Sequence, residues 1–173
     1  MKNLIPAGGM LSLALICSAF CANATGKIHV DKNGRMRDKD TNKEVRYYGV
    51  NYTLPFAHAY RAVDRLGTDH KETIDRDVYH ISRIGANAFR LHLWDVELTD
   101  SVGNIQENDH LDLLDYLIES LEERGIDIIL TAQTNFGNGY PERDEPTGGF
   151  SYLYDKCEMH SNPDAIKAQQ KYL

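Results

Sequence analysis

The stretch Asn87-Ala88-Phe89-Arg90-Leu91-His92-Leu93-Trp94-Asp95 governs how the rest of the chain is read. It begins two residues after Gly85, which closes a helical pattern, and it runs apolar before delivering Arg90, His92, Trp94 and Asp95 in quick alternation. A strand buried in a parallel sheet is expected to be mostly apolar. A guanidinium, an imidazole, an indole and a carboxylate at its C-terminal end need another reason. One is a ligand-binding mouth, which α/β barrels build from strand tips and the loops after them. The other is a strand end held by a structural arginine ion pair.

The segments on either side of this stretch share one plan. Upstream, Thr68 or Asp69 can cap a helix that carries Glu72 in its first turn, and Ile74, Val78, Ile81 and Ile84 form an apolar stripe that stops at Gly85. Downstream, Trp94 to Asp109 reads as a long loop with Asp95, Glu97 and Asp100, turning at Gly103-Asn104. Asn108 or Asp109 caps the next helix, whose stripe is Leu111, Leu114, Leu117, Ile118 and Leu121, with Gly125 after it. Ile126 to Leu130 is a strand, followed by Thr131, Gln133 and Asn135 and by a long loop rich in rings: Phe136, Tyr140, Phe150, Tyr152 and Tyr154. Asn162 and Pro163 then start a third helix.

Towards the N-terminus, Glu44 to Tyr52 is rich in residues that favour extended structure and predicts a first main strand. The loop Thr53 to Arg61 after it carries Phe56, His58 and Tyr60, rings that suit either a sugar face or packing on a rim. A hairpin precedes it, Ile28 to Val30 returning from Met36, with Asp31-Lys32-Asn33-Gly34 as the turn. Asp31 and Asp38 do not make a calcium loop, because positions six and twelve counted from Asp38 are Lys43 and Gly49.

Strand starts near residues 45, 87 and 126 recur at even spacing, each followed by a long loop, a helix and a short glycine turn. This predicts an α/β fold: a partial (β/α)8 TIM barrel of about three βα units behind an N-terminal β-hairpin. All the long loops then fall on the ligand-binding face.

Composition narrows the function. Twenty-six acidic against nineteen basic residues give a formal charge of -7, which argues against nucleic acid as a partner. Lys2, the apolar run Met10 to Ala19 and the small-x-small triplet Ala22-Asn23-Ala24 predict a signal peptide over residues 1–24, hence a secreted or periplasmic protein over 25–173 with no membrane attachment after cleavage. Cys17 and Cys21 leave with that leader, so Cys157 has no internal disulfide partner. Seven histidines without a His-x-His pair or a His-Glu-x-x-His helix do not make a metal site. His70 and His80 read as ordinary surface or half-buried residues.

The chain resembles the N-terminal part of secreted (β/α)8-barrel retaining glycoside hydrolases of the clan that includes cellulases, β-mannanases and β-galactosidases. The resemblance is carried by the hairpin leading into Tyr48-Gly49-Val50-Asn51, by Asn87-Ala88-Phe89-Arg90-Leu91-His92 and by Ile129-Leu130-Thr131. It implies an exported enzyme, without cofactor or metal, acting on β-linked poly- or oligosaccharides. In such enzymes one carboxyl protonates the leaving oxygen and a second, roughly 5 Å away, forms the glycosyl-enzyme intermediate. The resemblance maps Arg90 onto the arginine that keeps the nucleophile ionised, and puts His58, His92, Trp94, Asp95 and Asn135 at the sugar. The clan's Asn-Glu acid/base pair is nowhere in the sequence, and neither is a seventh strand with its nucleophile. The expectation is therefore a fragment of such an enzyme, inactive alone. Asp95 and Glu97, two apart, would point to opposite sides of an extended backbone and would not cooperate. The alternative is a non-catalytic carbohydrate-binding or assembly module.

Overall fold

The computed structural model describes residues 28–52, 57–131 and 149–173, with the side chains of residues 57 and 58 outside that description. The expected signal peptide, the loop residues Phe56, Asn135, Phe136 and Tyr140, and the His58 side chain lie outside the described residues. The chain divides into two units, residues 1–46 and 47–173.

In the first unit, β1 (Ile28–Val30) pairs antiparallel with β2 (Met36–Asp38), Ile28 opposite Asp38 and Val30 opposite Met36. The turn is organised by Asp31, whose carboxylate accepts from the backbone N–H groups of Asn33 and Arg35 and from Arg37 Nε at 2.6 Å. The Arg37 hydrogen bond is the main reason that the Asp31 carboxyl is lowered to about 2. Glu44 also belongs to this unit: it bridges Arg37, and the Val45 N–H donates to the Met36 carbonyl. The strand expected over Glu44 to Tyr52 is thus shorter than its composition suggests, since its first residues pair with the hairpin.

The second unit holds a parallel sheet in the order β3 (Gly49–Tyr52), β4 (Ala88–His92), β5 (Asp127–Thr131). Gly49 pairs with Ala88 and Ala88 with Asp127, so Asn51, Arg90 and Ile129 stand in one row, and His92 and Thr131 in the next but one. Gly49 cannot be replaced freely, because a Cβ there would collide with the Ala88 carbonyl.

Between β3 and β4 lie α1 (Ala57–Leu66) and α2 (His70–Arg83). Between β4 and β5 lie α3 (Asp95–Leu98) and α4 (Asp109–Glu122). The long helices start where the sequence predicts: the Asp69 and Asn108 side chains accept from the N–H groups of Glu72 and Leu111. Gly85 and Gly125 follow them at φ +80° and +66°. Their stripes form the main core, in which Ile74, Val78, Leu117 and Leu121 meet Phe89 and Leu91, all essentially inaccessible. Burying each such side chain contributes about 1.5–3 kcal/mol. Ile84, expected to close the first stripe, is 57% exposed at the helix C-cap.

Two predicted loops contain helices instead. Residues expected to be loop up to Arg61 enter α1 at Ala57, because Ala59, Tyr60 and Val63 supply one apolar face that packs on the core. The loop after Trp94 winds at once into α3, so Asp95 and Glu97 are helical, not extended. After residue 148 the chain forms a short 3-10 helix (Phe150–Leu153), α5 (Glu158–Ser161) and α6 (Pro163–Tyr172). Asn162 caps α6, accepting from the Asp164 N–H, and Pro163 is its first residue, as predicted. These helices share a smaller core of Phe150, Met159, Ala165 and Ala168.

Candidate functional site at the strand ends

Alternation along β4 creates the site. Phe89 and Leu91 are spent on the helix-facing core, so Arg90 and His92 must point to the opposite face. Register places Asn51 of β3 beside Arg90 and Thr131 of β5 beside His92. Arg90 is exposed, and its Nε donates to the Thr131 hydroxyl at 3.0 Å. The backbone continues this pairing, with the Leu93 N–H donating to the Thr131 carbonyl at 2.9 Å. His92 is half-buried and its Nε2 has no hydrogen-bond partner among the described residues. Burial, helped by the neighbouring Arg90 cation, lowers its pKa, so the ring is a neutral imidazole at neutral pH. One fixed cation, a neutral imidazole, an amide and a hydroxyl on a parallel-sheet face suit a hydroxyl-rich or anionic ligand.

Trp94 and Asp95 are placed differently. Trp94 is 8% exposed and belongs to the main core; Asp95 is 5% exposed, at the start of α3. Oδ2 of the Asp95 carboxyl accepts from the Ser151 N–H at 2.9 Å. Both residues sit beneath the rim that follows β4. Arg90 and His92 are therefore brought together with Thr131 and Asn51, while Trp94 and Asp95 are turned inward.

Sequence reasoning missed the polar cluster centred on Glu97. Its carboxylate is fully buried, 3.4 Å from Arg61 Nη1 and 3.8 Å from His110 Nδ1, and its carbonyl accepts from Asn108 Nδ2 at 2.8 Å. Tyr60 stacks on His70 with ring centroids 4.4 Å apart and lies tilted by 44° against His110 at 4.2 Å. Only the capping signal at Asn108 hinted at it, since Arg61 stands 36 residues from Glu97. The cluster ties α1, α3 and α4 together behind the rim.

A separate open cavity of about 350 Å³ lies between the starts of α2 and α4, lined by Asp69, His70, Lys71, Asp109 and Asp112 among others. Neither Arg90 nor His92 lines it. Among the described residues no group of three or more His, Cys, Asp or Glu side chains is arranged to hold a metal ion. No helix among them is long and apolar enough to cross a membrane.

Comparison with solved structures gives a crystal structure of the endo-1,4-beta-mannanase from Rhizomucor miehei, with a TM-score of 0.53 and 18% identity over 80% of this chain. The fold resembles a TIM-barrel mannanase. The resemblance is distant, and the chain spans 38% of that mannanase's length. No protein-family model matches the sequence, and no curated protein does.

Proposed function

We propose that this chain is part of an exported glycoside hydrolase that acts on β-linked poly- or oligosaccharides by a retaining two-carboxylate mechanism. The observation that carries this reading is the polar group Arg90, His92, Asn51 and Thr131 on the open face of a parallel sheet, at and near its C-terminal end, in a fold that resembles a TIM-barrel mannanase. In this reading Arg90 stands beside the nucleophile, and its charge and hydrogen bonds hold that carboxylate ionised. His92, neutral, bonds a sugar hydroxyl. The two catalytic carboxyls come from strands beyond the described ones, because Asp95 and Glu97 are buried and engaged elsewhere. His58 and Asn135 complete the sugar site, and residues 1–24 direct export.

The reading is tested on the complete reading frame that contains these residues, assayed on soluble β-mannan and on cello-oligosaccharides. Hydrolysis with retention of anomeric configuration is expected, and Arg90→Ala should depress kcat far more than it raises KM. Inversion, or an Arg90→Ala defect confined to KM, would remove the role given to Arg90. A product that binds these glycans without cleaving them would leave a carbohydrate-binding module in its place.

A further inference from the structure

The loop that leaves β4 and the segment 149–173 meet at one buried carboxyl. Asp95 Oδ2 accepts the Ser151 N–H across 56 residues of sequence. Gly149 approaches so closely that a Cβ would collide with the backbone of Asp95 and Val96. The Tyr172 hydroxyl, at the end of α6, is buried without a hydrogen-bond partner among the described residues, and it lies near enough to Asp95 to feel its charge. A second contact joins the same two pieces, where Gly103 packs on the α6 backbone at Ala168 and Lys171 Nζ lies 3.4 Å from Asn104 Oδ1.

We propose that Asp95 is the bolt of a pH-sensitive latch that holds segment 149–173 against the β4 loop, closed while its carboxyl is protonated and released as it ionises.

The physical case rests on what surrounds the carboxyl. From the 3-10 helix it meets Ser151, which is uncharged. From α6 it meets the Tyr172 phenol, which burial and then the Asp95 charge push far above the ordinary phenol range. On α3 the nearest ionisable group is Glu97, which is held by Arg61 and faces His110. Lys171 is engaged with Asn104, beside Asp100. Among the described residues no cation pairs with Asp95, so ionisation would place a buried charge that only hydrogen bonds balance, from the peptide and hydroxyl of Ser151 and the peptide N–H groups of Asp95 and Val96. Burial nonetheless raises its pKa, and these hydrogen bonds from Ser151, Asp95 and Val96 offset this only in part. A carboxyl raised in the closed state binds its proton more tightly there than in the open one. The latch's stability is complete below the ordinary carboxyl range and is lost as pH rises through the raised value. Because α3 begins three residues after His92, release would loosen the rim beside the candidate site. The latch itself does not depend on what that site binds.

Hydrogen exchange on the full chain, expressed as protection factors corrected for the chemical exchange rate, tests the latch at acidic and neutral pH. Protection of the Ser151 amide and of α6 should fall between the two, by about tenfold for each unit by which the carboxyl is raised. Asp95→Asn should hold that protection at both pH values. Tyr172→Phe should keep the wild-type pH dependence. Equal protection at both pH values in the wild type, the same loss in Asp95→Asn, or a pH dependence abolished by Tyr172→Phe would each overturn the proposal. If Asp95→Asn does not fold, carboxyl carbon NMR of the wild type decides. A titration of Asp95 above the ordinary range, in step with the loss of protection, upholds the latch; a titration at or below that range overturns it.

Discussion

Arg90 and Phe89 are neighbours in sequence and opposites in environment. Phe89 is fully buried, and Phe89→Ala should destabilise the protein by about 3–5 kcal/mol, read as a lower midpoint in a urea titration. Glu97 is the harder case, because it is buried with Arg61 as an ion pair. Glu97→Ala breaks that buried pair and should cost about 3–5 kcal/mol, well beyond the loss of packing alone. Replacing Glu97 and Arg61 together by apolar residues should recover much of the loss, which a double-mutant cycle would show. Alternation made the Arg90 side of β4 legible, since a charged residue between two apolar ones declares which face is core. The burial of Asp95 and Glu97 was not legible. An acidic residue after a strand reads as solvent-facing, and the partners that make burial tolerable, Ser151 and Arg61, lie 56 and 36 residues away.

Among the elements, α2 and α4 declared themselves because three independent signals agree at each: a capping side chain, an apolar stripe and a terminal glycine. Asn108 does double duty, accepting from the Leu111 N–H and donating to the Glu97 carbonyl. Asn108→Ala should therefore cost more than the roughly 1 kcal/mol of an ordinary cap. Asp69→Ala, which removes the cap of α2, should stay near that figure; paired thermal melts would compare the two. The helices α1 and α3 were hidden for separate reasons. The rings of α1 suited a binding loop as well as a packed face. Four residues of α3 hold too little pattern to show a period. In the hairpin, Asp31 offers a cleaner reading of pH. Its carboxyl is lowered to about 2, chiefly by the Arg37 hydrogen bond, so its contribution is present above the ordinary carboxyl value and is lost as pH falls through about 2. Asp31→Asn should remove that acid limb from the hairpin's amide shifts.

At the scale of the whole molecule, the described helices pack on the Phe89 and Leu91 face of the parallel sheet. Arg90 and Asn51 are exposed on the other, together with Ile129 at 43%, and β5 also exposes Leu130 at 57%. A β-rich apolar strand with this much exposure invites pairing with another chain. The isolated chain should self-associate with rising concentration in sedimentation velocity, and Leu130→Lys should shift it towards the monomer. The even recurrence of strand, loop and helix made the parallel sheet foreseeable. The packing of α6 was not foreseeable, because it depends on Gly103 leaving room for the backbone at Ala168.

Trp94 is the chain's sole tryptophan, and it lies in the main core beside the rim. The intrinsic fluorescence of the protein therefore has a single indole source. Its emission should be blue-shifted in the native state and move to the red when the packing under the β4 loop is lost. Because Trp94 precedes Asp95, one unlabelled optical signal would follow the rim in real time, separating local loosening from global unfolding wherever the two occur at different denaturant concentrations.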